Sequence, residues 1–296
     1  MFEIKAFADY KAIKIEKGWS EDEKYLLEKG QEKLLLKVAD IEHHDQKLSE
    51  FEIFKRLKQA NIPSNLPIDF GICDSGEKVW MALTWVDGID LRDQLVKFSV
   101  SEQYEFGVEA GKILRKIHEL EIPEPSESWE VRFNKKIDRK LRAYEDCHLK
   151  IPNGEVFVDY LTNNRHLLTG RPQGFHHGDF HEGNLILTPE NAVVPIDFNR
   201  FGYGDPWEDF NRIVFSKAIS LDFASGQVDG YFEGVVPDDF WKLLALYISS
   251  NTISAIPWAI PFGEEEVEFM MKQAGGILKD YDNMKTYVPA WYQSRK

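Results

Sequence analysis

The sequence predicts an α+β chain of two lobes: a small β-rich lobe over residues 1–88, a hinge, and a larger, mainly helical lobe over residues 89–296. Three observations predict it. Short apolar runs divided by turns fill the first part, apolar residues at helical spacing fill most of the second, and the character changes at Val86-Asp87-Gly88. The length of 296 residues also exceeds what a single hydrophobic core usually organises.

The elements follow in order. Lys24 to Asp40 reads as a hairpin: Tyr25-Leu26-Leu27, a polar turn through Gly30, then Leu34-Leu35-Leu36-Lys37-Val38. From Lys47 to Ala60, Leu48, Phe51, Phe54 and Leu57 recur at helical spacing. Pro63 and Pro67 mark a connection, after which short strands are expected around Phe70-Gly71-Ile72 and from Val79 to Thr84. Residues 89–120 read as helix, with Val108, Gly111, Ile113, Leu114, Ile117 and Leu120 on one packed face, and residues 130–170 read as helix again. Between Phe175 and Phe198 the pattern breaks into short apolar runs, Leu185-Ile186-Leu187 and Ala192 to Ile196, a second hairpin. Helices return after Pro206 and run to about Gly276.

Lys and Arg number 36 and Asp and Glu 50, a net charge of −14. Phosphate binding along a nucleic acid requires concentrated cations, so DNA and RNA are excluded as main partners, while a cationic small molecule suits the acidity. Cys73 and Cys147 are too few to staple a chain of this size and fit a reducing compartment. Met1 to Lys17 lacks the apolar core of a signal peptide. The apolar stretch Ala255 to Phe262 is interrupted by Pro257 and Pro261, short of the roughly 18 residues a membrane span needs. A cytoplasmic protein with no membrane partner, monomeric or homodimeric, is the expectation.

The sharpest motif is His177-Gly178-Asp179-Phe180-His181-Glu182-Gly183-Asn184, with Asp197 in Ile196-Asp197-Phe198 thirteen residues after the Asn. Phosphoryl transfer to an alcohol needs a carboxylate that orients the hydroxyl and accepts its proton, and oxygen ligands for Mg²⁺. A loop carrying Asp179 and Asn184, closed by a hairpin that returns Asp197, supplies these groups, with Asp179 as base and Asn184 and Asp197 holding the metal. The cluster His176, His177, His181 and Asp179 also invites a metallohydrolase reading, but such sites draw further ligands from distant loops and no histidine follows His181. There is no Gly-x-Ser-x-Gly elbow and no Walker loop, and Trp207 stands where a dinucleotide fingerprint begun at Gly202-Tyr203-Gly204 would need its third glycine.

His-x-Asp-x-x-x-x-Asn followed by Ile-Asp-Phe resembles the catalytic loop of aminoglycoside phosphotransferases and choline-kinase-like enzymes, with Gly178 where protein kinases place an Arg. The resemblance covers nearly the whole chain and implies a protein-kinase-like fold, with a nucleotide-binding first lobe and an acceptor-binding second lobe. It implies that Lys37 pairs with the α- and β-phosphates, and that Glu50 on the following helix holds this lysine, with Glu52 as the fallback. It places the phosphate-covering loop at Gly18-Trp19-Ser20, with Ser20 or nearby amides as the contact, and the purine at the backbone of Thr84 and Val86. In Gly204-Asp205-Pro206-Trp207-Glu208-Asp209, Asp209 is expected to brace the catalytic loop rather than react, and His177 to orient it.

The implied activity is phosphotransfer from ATP or GTP, with Mg²⁺, to a hydroxyl of a small and cationic acceptor, an aminoglycoside first. Choline, homoserine, methylthioribose and macrolides are alternative acceptors, and a catalytically dead nucleotide-binding protein is the non-enzymatic alternative. Only seven residues separate Asp197 from Asp205, too few for a peptide platform. The second lobe holds 23 basic and 33 acidic residues, so Asp205, Glu208 and the run Glu264-Glu265-Glu266 are the expected ammonium ligands. An acidic helix start would also account for that run.

Overall fold

The computed structural model describes residues 4–16, 22–293 and 295. Its strands are β1 (Lys11–Ile15), β2 (Glu23–Lys29), β3 (Glu32–Asp40), β4 (Pro67–Cys73), β5 (Lys78–Thr84), β6 (Ile89–Asp90), β7 (Gly174–His176), β8 (Leu185–Leu187), β9 (Val193–Pro195) and β10 (Gly202–Gly204). Its α-helices are α1 (His44–Gln59), α2 (Leu91–Gln94), α3 (Val100–His118), α4 (Trp129–Asp146), α5 (Glu155–Asn163), α6 (Ile213–Ile219), α7 (Leu221–Phe232), α8 (Asp238–Ala259) and α9 (Glu264–Asp280). The chain divides into two compact units, Met1–Asp90 with Leu185–Asn199, and Leu91–Asn184 with Arg200–Lys296.

The first unit is built on an antiparallel sheet in the order β1-β2-β3-β5-β4. Side chains alternate across a strand, so Leu34, Leu36 and Val38 of β3 enter one core with Leu27, Trp80 and Ala82, while Lys37 turns to the opposite face. That face is covered by α1, which packs on β4 and β5 through its buried Phe51, Phe54 and Leu57. Leu185–Asn199 belongs to this unit because β8 pairs with both β6 and β9, and because the ring of Phe198 meets Phe54 edge-on at 5.7 Å. The sequence reading grouped this segment with the second lobe, since hydropathy shows a hairpin but not which edge it joins.

The second unit is helical. The Ser99 hydroxyl caps α3 in a reciprocal box with Glu102. Helices α3 and α7 meet backbone to backbone: a Cβ on Gly107 or Gly111 would lie 2.1 Å from a carbonyl oxygen of Phe223 or Gln227, and one on Gly226 or Gly230 would lie 2.2 or 2.1 Å from Tyr104 or Val108. Glycines four residues apart on both helices permit this approach. Asp238–Phe262 is long and apolar enough to cross a membrane by length and composition, and 67% of its apolar window is buried within the protein, as the central helix of this unit. The helix runs through Pro257 rather than stopping there.

Candidate active site

Lys24 and Lys37 stand opposite one another in the β2–β3 pair. Like charges placed so repel and require an anion. Asp197 supplies it, accepting from Lys37 Nζ on Oδ1 at 3.1 Å and from Lys24 Nζ on Oδ2 at 3.2 Å. Lys37 also donates to Glu50 Oε1 at 2.7 Å, while the second Glu50 oxygen accepts from Lys47 at 3.3 Å, and Lys47 donates on to Asp22 at 2.5 Å. Charges therefore alternate along Asp22–Lys47–Glu50–Lys37–Asp197–Lys24. Burial alone would strip the Lys37 proton, but Glu50 and Asp197 outweigh it and hold the ammonium well above the ordinary lysine range. Burial raises and Lys37 and Lys24 more than reverse the Asp197 carboxyl, which ends well below the usual carboxylate range. Asp197 also has φ 63°, a left-handed conformation that Asp tolerates better than most residues and that concentrates at functional sites. Glu52, the fallback partner for Lys37, instead pairs with Lys55 at 2.6 Å on the exposed face of α1.

The Thr84 amide, expected to face a purine, donates to Leu66 O at 2.8 Å, and the Thr84 carbonyl accepts from Asn65 Nδ2 at 2.9 Å. Thr84 is therefore largely committed to its own connection. Val86 lies just past the end of β5, and among the described residues its backbone makes no hydrogen bond. Ser20 lies outside the described residues.

In the second unit Asp179 follows β7 on a tight turn. Gly178 has φ 84°, and a Cβ there would fall 1.9 Å from the Arg200 carbonyl oxygen, so no other residue fits. The Asp209 carboxylate accepts the amides of His177 at 2.7 Å and Gly178 at 2.8 Å, and meets His118 Nε2 at 3.2 Å. Burial pushes the Asp209 carboxyl up, but the His118 hydrogen bond and the neighbouring imidazoles pull it well below the carboxylate range. His177 Nδ1 accepts the Asp179 amide at 3.3 Å, and Asn184 Nδ2 donates to the Asp179 carbonyl at 2.9 Å. The far side of the loop is pinned by Glu182, buried and bound to Arg92 and Ser216, each at 2.9 Å. The Asp179 carboxylate has Arg212 Nε at 3.0 Å, Arg200 Nη1 at 3.7 Å and His181 Nε2 at 3.8 Å. The Arg212 Nε–H makes no directed hydrogen bond, so this close pair is Coulombic.

Magnesium requires oxygen ligands, and the donor chemistry fits. In the second unit Asn184 commits its amide nitrogen to the loop, which leaves its Oδ1 as an oxygen donor. In the first unit each Asp197 oxygen accepts from a lysine.

The expected ammonium ligands are placed otherwise. Asp205 is fully buried: Arg171 binds both its oxygens at 2.6 and 2.8 Å, and Tyr247 donates to it at 2.6 Å. It also caps the 3-10 helix Pro206–Arg212, accepting from the Trp207 amide at 3.0 Å. A carboxylate so satisfied has no capacity left for an acceptor. Glu208 pairs with Lys136 at 2.8 Å; burial raises its carboxyl, and Lys136 and His176 bring it below the usual value. Glu264 and Glu265 are exposed in the first turn of α9, where the helix dipole favours them.

Lys24 and Arg212 were missed by sequence reasoning. The first was within reach: a two-residue turn at Gly30 and Gln31 pairs Lys29 with Glu32, and counting back puts Lys24 opposite Lys37. Nothing local marks Arg212, whose partner comes from a distant loop.

A β-sheet unit with a buried lysine–glutamate pair and a helical unit with a braced His-Gly-Asp loop define a phosphotransferase of protein-kinase-like fold. The sequence model of the phosphotransferase enzyme family matches residues 11–241, and the chain belongs to that family. Among solved structures it is similar to the aminoglycoside phosphotransferase APH(4)-Ia, at 14% identity and TM-score 0.69 over 92% of this chain and 94% of that one. It is also similar to ADP-bound APH(2'')-Ib, at 16% identity and TM-score 0.63 over 91% and 94%, and to the GDP complex of aminoglycoside 2'-phosphotransferase-IIIa, at 14% identity and TM-score 0.67 over 90% and 91%. At these identities the likeness is one of fold. No curated protein matches the chain.

Proposed function

We propose that the chain transfers the γ-phosphoryl group of ATP or GTP to a hydroxyl of a small, polyhydroxylated molecule in the cytoplasm. The observation that carries this reading is the Asp179 loop, whose backbone is fixed by Asp209, His177 and Asn184 so that one carboxylate is presented on a rigid turn. Asp179 orients the acceptor hydroxyl and takes its proton as the oxygen attacks phosphorus. Lys37, kept charged by Glu50, meets the α- and β-phosphates, and the Val86 backbone suits a purine edge. Asn184 and Asp197 would each offer an oxygen to Mg²⁺, which would supply neutralisation of charge on the transferring phosphate.

Solved complexes of similar fold contain hygromycin B with ADP, and gentamicin. They support an acceptor of aminoglycoside size and put aminoglycosides in the first panel to assay, with choline, homoserine, methylthioribose and macrolides beside them. Asp179→Ala is expected to lower kcat by about 10²- to 10⁴-fold while nucleotide affinity stays within about threefold. Turnover equal to that of the parent protein sinks the assignment.

A further inference from the structure

His181 follows Asp179 by two residues, and the roles of Asp179, His177 and Asn184 leave it without one. The fold nevertheless fixes its ring from several sides. Nδ1 lies 3.0 Å from the Gly183 amide nitrogen and 3.3 Å from Arg92 Nη2. The Phe215 ring packs beside it at 5.6 Å between centroids, and Arg92 is itself bound by the buried carboxylate of Glu182 at 2.9 Å. The loop closes this tightly because residue 183 is glycine: a Cβ there would lie 2.7 Å from Arg92 Nη2 and 2.8 Å from His181 Cε1.

These contacts fix the tautomer. A backbone amide and a guanidinium can only donate, so Nδ1 accepts from both and the ring proton sits on Nε2. With the Nδ1 lone pair committed, the ring can neither take a proton from an acceptor nor ligate a metal; it can only donate. Among the described residues Nε2 makes no hydrogen bond, and it lies 3.8 Å from Asp179 Oδ1. That distance is too long for a direct bond. One oxygen placed about 2.9 Å from Nε2 and about 2.7 Å from Oδ1 would bridge them, with an angle of about 85° at that oxygen. Arg212, 3.0 Å from the same Oδ1, makes no directed bond to it, so Oδ1 keeps a lone pair for a hydroxyl.

We infer that His181 is a second catalytic residue, whose Nε2–H donates to the oxygen of the acceptor hydroxyl while Asp179 accepts the hydroxyl proton. This rests on the phosphotransferase reading. The oxygen gives its proton to Asp179 and forms a bond to the γ-phosphorus. The bond from that phosphorus to the β,γ-bridging oxygen breaks, its electron pair leaves on the nucleoside diphosphate, and His181 keeps its proton throughout. Held by a donor and an acceptor at once, the oxygen has a further lone pair aimed at phosphorus, and the Nε2 hydrogen bond strengthens as negative charge builds on it.

Mg-ATP turnover by the full chain, with water or kanamycin as acceptor, separates this role from a structural one. A ring kept only to fill space beside Phe215 would be replaced well by Phe and poorly by Gln. A donor requires the reverse. His181→Phe should lower kcat about 10- to 100-fold with the KM for Mg-ATP within about threefold of the parent value. His181→Gln, whose amide puts an N–H near the place of Nε2, should bring kcat back to within about fivefold of the parent. Nitrogen NMR of the histidine-labelled parent protein should show His181 protonated on Nε2 and bare on Nδ1, a reading that stands even where a variant misfolds. Parental kcat in His181→Phe, His181→Gln as slow as His181→Phe, or a proton on Nδ1 each overturns the inference and leaves the phosphotransferase reading intact. Full turnover in Asp179→Ala, or none by the parent protein with either acceptor, defeats the phosphotransferase reading and this role with it.

Discussion

At the scale of single residues, Asp209 decides the shape of the loop. It receives two consecutive backbone amides from inside the protein, and its depressed carboxyl makes that arrangement dependent on acidity. A carboxylate whose folded pKa lies below the unfolded value of about 3.9 stabilises the native state above that value, and the contribution is lost as pH falls towards the folded pKa. Asp197 shifts the same way and adds to the same window. Stability followed by circular dichroism should therefore fall steeply below about pH 4. Asp209→Asn should cost about 2 kcal/mol at pH 7 and flatten that acid limb, because an amide oxygen accepts the same donors less strongly and does not titrate there. A limb as steep as in the parent protein counts against this account. Asp209 was legible as a brace because its motif is continuous in sequence. Burial and partners are tertiary facts, so the sequence offers Asp205 as an ammonium ligand, whereas in the fold Arg171, thirty-four residues away, holds it.

At the scale of elements, the α3–α7 pair gives the sharpest test. Replacing a helical glycine by alanine should by itself stabilise by about 1 kcal/mol. In α9, where nothing lies within 4 Å of a Cβ at Gly275 or Gly276, that gain is expected to appear in urea denaturation. At Gly107 or Gly230 the added methyl would enter a facing carbonyl, and overpacking should turn the gain into a net loss of about 2 kcal/mol. Equal effects at the two places would mean that α3 and α7 do not touch as described. Periodicity had already picked Gly111 as part of the packed face of α3. It could not name the partner, because spacing reports which face of a helix is covered and not what covers it.

At the scale of the molecule, the α+β division and the character of both parts were readable from patterns of apolar residues, whereas the path of the chain was not. Hydropathy is local, and the pairing of β6 with β8 joins segments almost a hundred residues apart. Nucleotide binding should act on the whole unfolding equilibrium: Mg-ATP at about a hundred times its Kd should stabilise by about 2.7 kcal/mol, and Lys37→Met should abolish the shift in scanning calorimetry. A shift as large in Lys37→Met would remove this lysine from the nucleotide site. The assignment of Leu185–Asn199 to the first unit bears, finally, on how the protein is made. When residue 90 leaves the ribosome the sheet strands are present, but Lys24 and Lys37 still lack the carboxylate of Asp197. At about 5–20 residues per second, another 5–20 seconds or so of translation pass before it emerges. The amino-terminal unit is the first to be begun during synthesis, yet it waits for much of the second unit's sequence before its buried charges balance.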